Sequence, residues 1–213
     1  MLKFEPPYQW IIAGIGTEVG KTITAAIFTE ALEADYWKPV QSGSLDDSDS
    51  EAVRELISNQ RTTIHREAYR LKAPLSPHTA AEMEHITIQP HKLILPASEN
   101  HLIVELAGGI MVPLNDAFFN LDLIRHLNLP VVIVANYYLG SINHTLLTVE
   151  VLKSRQIPIV GLVLNGTENT SSKSVILKQT QLSLLLEIRQ EVFFTQATIQ
   201  QYAERLRESL FPS

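Results

Sequence analysis

Gly14-Ile15-Gly16-Thr17-Glu18-Val19-Gly20-Lys21-Thr22 follows directly on the apolar run 10–13 and opens a stretch, Lys21–Leu32, whose apolar residues recur at spacings of three and four. A β-branched run, a glycine-bearing turn and an amphipathic helix start form the context in which a phosphate-binding loop works. The backbone N–H groups at such a helix start wrap an anion, and the helix dipole adds favourable potential. Gly16, Thr17, Glu18, Val19 and Gly20 would form the cradle, Lys21 would reach the β- and γ-phosphates of a nucleotide, and the Thr22 hydroxyl would ligate Mg²⁺. Five residues rather than four separate Gly14 from Gly20, and Ile15 stands where the first glycine belongs, so Gly20-Lys21-Thr22 is the stronger half of the motif. The bland alternative is a strand-to-helix turn followed by an ordinary Lys-Thr helix start.

Outward from this loop, short apolar runs recur at 102–106, 130–135 and 157–164, as in strands buried on both faces of a parallel sheet. Between and after them, Asn120–Leu127, 143–153 and 198–210 carry one-sided helical periodicity. The alternation predicts an α/β fold, a doubly wound, mostly parallel sheet with helices on both faces, of the P-loop NTPase type. The Ser/Asp/Gly-rich stretch 42–49 reads as a loop, 72–77 as a proline-punctuated connection approaching the same sheet edge, and 191–194 as a strand in a vaguer tail. With 213 residues, 45% hydrophobic content and no repeat or linker, one domain over 1–213 is expected.

The net charge of −6 and the scatter of Lys and Arg leave no basic footprint, so nucleic acid is not an expected partner. Without cysteine there is no disulfide, thiolate metal site or cysteine nucleophile. Residues 1–9 lack the pattern of a leader, and no apolar run approaches the roughly 18 to 20 residues that span a bilayer, so a cytoplasmic protein without membrane contact is expected. On that reading the glycosylation-like triplets at Asn143, Asn165 and Asn169 carry no meaning. His78 and His144 stand at no metal-ligand spacing, and no zinc site is read.

The extra residue in the loop, with Thr17-Glu18-Val19 before the last glycine, is how the loop of dethiobiotin synthetases reads, and the sequence resembles that family. Lys38-Pro39-Val40-Gln41-Ser42-Gly43 is similar to its second motif, Ser76-Pro77-His78 to its third, and Glu105 with Ala107-Gly108-Gly109 to its acidic motif. Leu139-Gly140-Ser141-Ile142-Asn143-His144 resembles the segment before its fifth helix, and Asn165 a base-contacting asparagine. Order and spacing agree from Trp10 to Asn165. Three departures stand out: Gly16 replaces an aspartate, Leu106 interrupts Glu-Gly-Ala-Gly-Gly, and the C-terminal portion lacks a clear Gly-x-Ile-Pro segment.

The resemblance implies an ATP- and Mg²⁺-dependent enzyme that joins CO₂ to the two amines of 7,8-diaminopelargonate and closes a cyclic urea. Lys21 and Lys38 would be catalytic, and Thr22, Asp49 and Glu105 would hold Mg²⁺. Thr17, Ser42 and Ser76 would join Lys38 in contacting substrate. Gly140, Ser141, Ile142 and Asn143 would bind the substrate carboxylate from the neighbouring subunit of a two-fold homodimer.

The residues alone leave alternatives. Lys38 also reads as a solvated lysine at a strand end, and Asp49 as part of a solvated acidic stretch that fails the calcium-loop pattern at Ala52. Ser42, Ser76 and Thr17 can satisfy turn backbone, and Asn143 can cap a helix. Glu105 closes a buried strand, where an unpaired carboxylate is costly, so a metal or cation partner is expected there. Two other functions fit the loop: a carboxylate-activating ATPase of the cobyrinate amidase type, and a noncatalytic nucleotide-binding module.

Overall fold

The computed structural model describes residues 4–212; Lys3, part of the segment read for a leader, lies outside them. β1 (Gln9–Gly14) leads through the glycine-bearing loop into α1 (Lys21–Leu32), which returns to β2 (Asp35–Trp37). An excursion follows through β3 (Val40–Ser42), α2 (Asp49–Leu56), β4 (Ile64–His65), β5 (Tyr69–Leu71) and α3 (Pro77–Met83). After β6 (Leu102–Gly109) come a short hairpin, β7 (Pro113–Asn115) and β8 (Phe118–Phe119), then α4 (Asn120–Leu127) and β9 (Val131–Asn136). α5 (Ser141–Ser154), β10 (Ile159–Asn165), α6 (Thr170–Thr180), β11 (Leu184–Ile188) and α7 (Gln196–Leu210) complete the order.

Seven strands form one sheet in the order β11-β10-β9-β1-β6-β2-β4, and every pairing in it is parallel. β3 pairs with β5, and β7 with β8, in two small separate ladders. β1 is central: the later strands β9 to β11 are added on one side of it, and β6, β2 and β4 lie on the other. The loop after β1 therefore opens where strand order reverses, the crevice in which ligands of open α/β sheets bind. Among the described residues no helix is long and apolar enough to cross a membrane.

Side-chain alternation along the buried strands divides the core in two. Trp10, Ile12, Tyr36, Ile103, Val132 and Val134 face α1, α2 and α7, whereas Ile11, Ala13, Trp37, Val104, Leu106 and Ile133 face α3 to α6. α1 is buried nearly all round because α7 packs over it. The small residues Ala25, Ala26 and Ala31 suit that double burial and favour the helix. Glu33 then ends α1 in the left-handed region at φ 50°, its N–H returning to Glu30 and Thr29 carbonyls.

The expected helices α1 and α4 coincide with the structure, whereas β6 runs past the expected 102–106 to Gly109, so Glu105 lies inside its strand rather than closing it, and three further expectations need correction. The helix expected at 143–153 begins at Ser141, so Gly140 caps it at φ 105° and Asn143 is an exposed residue inside its first turn rather than a cap. The tail strand is Leu184–Ile188, not 191–194: Val192 and Phe193 are 87% and 79% exposed, and the edge ladder beside β10 is filled by the leucine run. The loop expected over 42–49 ends at Ser48, whose hydroxyl accepts from the Glu51 N–H and makes Asp49 the first residue of α2.

Candidate active site

The carboxyl ends of β1, β2 and β6 and the start of α1 border a cleft of ≈ 700 Å³, lined by Thr17, Lys21, Thr22, Lys38, Asp49 and Glu105 among others. Gly20, φ 89°, stands at the N-terminal cap of α1, which has no side-chain cap and no acidic residue in its first turn. Its leading N–H groups thus point at the cleft without an internal competitor, as an anion site requires. Only glycine fits at position 20: a Cβ would stand 2.4 Å from Asn165 Nδ2, and φ is in the left-handed region. Asn165 itself donates 2.7 Å to the Val19 carbonyl, tying the end of β10 to the loop.

Strand register explains how the charged groups meet. Tyr36 of β2 lies opposite Ile103 of β6, and both face α1. Two residues further, on the same face, come Lys38 and Glu105, so they fall side by side. Lys38 Nζ donates to Glu105 Oε1 at 3.0 Å and also to Asp49 Oδ2. The Thr22 hydroxyl lies 2.9 Å from both Asp49 Oδ1 and Glu105 Oε1, with one proton to share. Tyr36 OH donates 2.8 Å to the remaining oxygen, Glu105 Oε2. Lys21 Nζ curls back to the Gly16 carbonyl at 2.9 Å.

Lys38 and Glu105 are only 4% and 1% exposed, so each charge depends on the other for compensation. Burial pulls the Lys38 ammonium down, but the Glu105 and Asp49 carboxylates outweigh it and hold its pKa above the ordinary lysine value. Burial likewise pushes the Asp49 carboxyl up, and Lys38 outweighs this and holds it low. Lys21 differs: burial lowers its pKa, Lys38 adds to that, and Glu105 and Asp49 only partly oppose. Lys38 is therefore a fixed cation at neutral pH, suited to bind an anion and not to accept a proton.

Comparison with known proteins fits this geometry. The family described as AAA domain matches residues 9–197. An ATP-dependent dethiobiotin synthetase of Christiangramia forsetii is 44% identical over 204 residues, 96% of this chain and 98% of that protein. One from Cytophaga hutchinsonii is 45% identical over 204 residues, covering 95% and 98%. The chain belongs to the dethiobiotin synthetase family. At the level of fold alone, it resembles the cell division ATPase MinD of Pyrococcus furiosus, with a TM-score of 0.60, 12% identity and coverage of 94% and 98%. The ParA family ATPase of Chlorobium tepidum gives a TM-score of 0.54 at 14% identity, covering 97% and 93%.

Within this dethiobiotin synthetase fold, Thr17, Glu18, Gly20, Lys21, Thr22, Lys38, Ser42, Asp49, Ser76 and Glu105 gather at the large cleft. Ser42 Oγ is buried there without a hydrogen-bond partner among the described residues. Ser76 Oγ lies 3.1 Å from both His78 Nδ1 and Thr79 Oγ1 at the start of α3. Val19 and Asn165 border instead a smaller neighbouring hollow of ≈ 150 Å³, with Asn136, Arg189 and Phe194. Gly16 borders neither cavity, and a Cβ there would meet open space.

Gly140 to Asn143 do not line the cleft of their own chain. The start of α5 faces outward beside exposed Tyr138, Leu139 and Leu147, while Ser141 Oγ is turned inward and buried with no partner among the described residues. Leu106 does not crowd the acidic group next to it, because alternation turns it into the opposite core with Trp37 and Val104. Tyr36 and Gln41 were not singled out from sequence. Gln41 donates to the Gly43 carbonyl at 3.1 Å and accepts weakly from the Asp49 N–H, which braces the turn into α2. It sits inside the 38–43 motif, which was the available signal; Tyr36 had none beyond its place in an aromatic pair.

Proposed function

We propose that this chain, as one α/β unit, closes the ureido ring of dethiobiotin from 7,8-diaminopelargonate, CO₂ and ATP in the cytoplasm. The observation that carries the reading is the juxtaposition, in one cleft, of an uncapped helix start, two buried lysines and the oxygen donors Thr22, Asp49 and Glu105. The names of relatives matching nearly end to end favour it over an amidase-type ATPase or a noncatalytic module.

Thr22, Asp49 and Glu105 would hold Mg²⁺. Their oxygens already converge within 2.9 Å of the Thr22 hydroxyl, and a hard-oxygen set with room for phosphate and water suits that ion. Among the described residues no cluster of three or more His, Cys, Asp or Glu side chains forms an all-protein cage, and Mg²⁺ at a nucleotide site needs none. Bound with ATP, the ion would supply charge neutralisation on the phosphates. Gly16 to Thr22 would cradle the phosphates, and Asn165, at the smaller hollow, would meet the base.

One amine of the diamine adds to CO₂, releasing a proton and forming a carbamate, whose negative charge Lys38 would balance with Lys21 near the phosphates. The carbamate oxygen attacks the γ-phosphorus and ADP leaves, giving a carbamic-phosphoric anhydride. The second amine attacks the carbonyl carbon, phosphate departs and the ring closes. Ser42, with its unpartnered hydroxyl, Thr17 and Ser76 would orient the diamine. The outward-facing start of α5, which has no side-chain cap on its leading N–H groups, would reach the substrate carboxylate of a second copy, so the working unit is a two-fold homodimer.

The test is turnover of ATP with Mg²⁺ and bicarbonate, with and without the diamine, following dethiobiotin by mass. Product formation that requires the diamine is expected. Nucleotide binding by a folded sample without product would overturn the reading, and an active strict monomer in light scattering would overturn the shared site.

A further inference from the structure

We infer that Tyr36 is a positioning residue of this active site: its hydroxyl holds one oxygen of Glu105 and so turns the other toward Thr22 and Lys38. This rests on the ligand role given to Glu105 above. The carboxylate of Glu105 is only 1% exposed and has two equivalent oxygens. Oε1 accepts from Lys38 at 3.0 Å and lies 2.9 Å from the Thr22 hydroxyl, whereas Oε2 has Tyr36 OH at 2.8 Å. Without that third donor, rotation about the terminal torsion of glutamate is soft. Lys38 could then draw both oxygens to itself, and the Thr22 side would lose its acceptor.

The backbone makes this placement hard to replace. Tyr36 sits on the same face of β2 as Lys38, fully buried, with its ring in the apolar cluster of Trp10 and Phe28. The ring fills core and the hydroxyl meets one cleft residue, Glu105, which separates its packing role from its polar one. Being neutral, the hydroxyl steers the carboxylate without adding a third cation beside Lys21 and Lys38. A group that orients a metal-ligating carboxylate in this way is worth about 10–100-fold in metal affinity.

Tyr36→Phe removes one oxygen and keeps the ring. The experiment is calorimetric titration of the intact protein with a non-hydrolysable ATP analogue, in Mg²⁺ and in EDTA, for wild type, Tyr36→Phe, Glu105→Gln and the double variant, with thermal melts alongside. The expected result is binding about 10–100-fold weaker in Mg²⁺ for Tyr36→Phe, with metal-free binding within about two-fold of wild type. Adding Tyr36→Phe to Glu105→Gln should then change nothing further. An unchanged ratio of the two affinities in Tyr36→Phe, or equal weakening in both buffers, overturns the inference and leaves Tyr36 a core residue. If wild type itself shows no Mg²⁺ dependence, the ligand role of Glu105 fails and this inference falls with it. If the Mg²⁺ effect is present and diamine turnover is absent, the reaction assignment fails while the Tyr36 comparison still decides the inference.

Discussion

Lys38→Met is the perturbation whose size the structure sets most directly. The variant keeps the length of the side chain and removes a charge that is 4% exposed, leaving Glu105, 1% exposed, and Asp49 with only neutral donors and the more distant Lys21. Breaking a buried ion pair by removing one partner costs about 3–5 kcal/mol. The Asp49 side chain is 32% exposed, so water relieves part of its loss and the lower end, about 3 kcal/mol, is expected. Total stabilities are about 5–15 kcal/mol, so the variant stays folded but marginal. With a urea dependence of about 2–3 kcal/mol per molar, the midpoint should fall by about 1 M. Glu105→Gln removes the charge that Lys38 compensates, and the double variant should recover about 2 kcal/mol relative to additivity. The pH dependence has a definite sign. Lys38 has a raised folded pKa, so its contribution is complete below the ordinary lysine value of about 10.4 and is lost as pH rises through the folded one. Asp49 has a lowered one, so its contribution is present above about 3.9 and is lost as pH falls through the folded one. The difference from wild type should therefore be flat near neutrality. Dethiobiotin formation should vanish while ATP binding stays near that of wild type. A cost under about 1 kcal/mol, strict additivity with Glu105→Gln, or full activity would refute the argument that Lys38 is both the buried counterion and the carbamate partner.

Other outcomes follow from packing elsewhere in the fold. Glu30 accepts from Ser58 N and Oγ at 2.9 and 2.6 Å and from Asn59 N and Nδ2 at 3.1 and 3.0 Å, bonds that outweigh its burial and lower its pKa. Glu30→Ala should cost about 2–3 kcal/mol in urea denaturation at pH 7, and the gap to wild type should narrow as pH falls from the ordinary glutamate value of about 4.3 through the folded one. Gly20→Ala drives a Cβ to 2.4 Å from Asn165 Nδ2 at φ 89° and should lower stability by about 1–3 kcal/mol, with nucleotide affinity falling in calorimetry. Leu106→Ala should cost about 2–5 kcal/mol by thermal or urea unfolding and leave kcat unchanged at 25 °C; a gain in kcat would mean that Leu106 does disturb Glu105.

Legibility in the sequence followed how much each element depends on its own residues. α4 carries its periodicity internally, α1 is announced by the glycine-bearing loop that opens it, and the sheet centre is written in long β-branched runs. β2 and β4 are three and two residues long and are strands only because β6 and β2 lie beside them, so no local pattern announces them. α6 buries only Ile176 and Thr180, too narrow a stripe to read. The same division holds in the site. The phosphate loop is local chemistry, Lys38 and Glu105 were reached through motifs whose spacing reflects one shared cleft, and Asp49, in an acidic stretch outside those motifs, came only as a metal ligand that the resemblance implies. Tyr36 was missed because a tyrosine in an apolar strand reads as core until register sets it one step behind Lys38 and opposite Ile103. Register also resolves Leu106: a one-residue step along β6 separates the face that holds the carboxylate from the face that holds the core. A bulky residue in place of glycine beside Glu105 is thus absorbed by the opposite layer. The departure that bears on chemistry is the one in the loop itself, where Gly16 leaves open space.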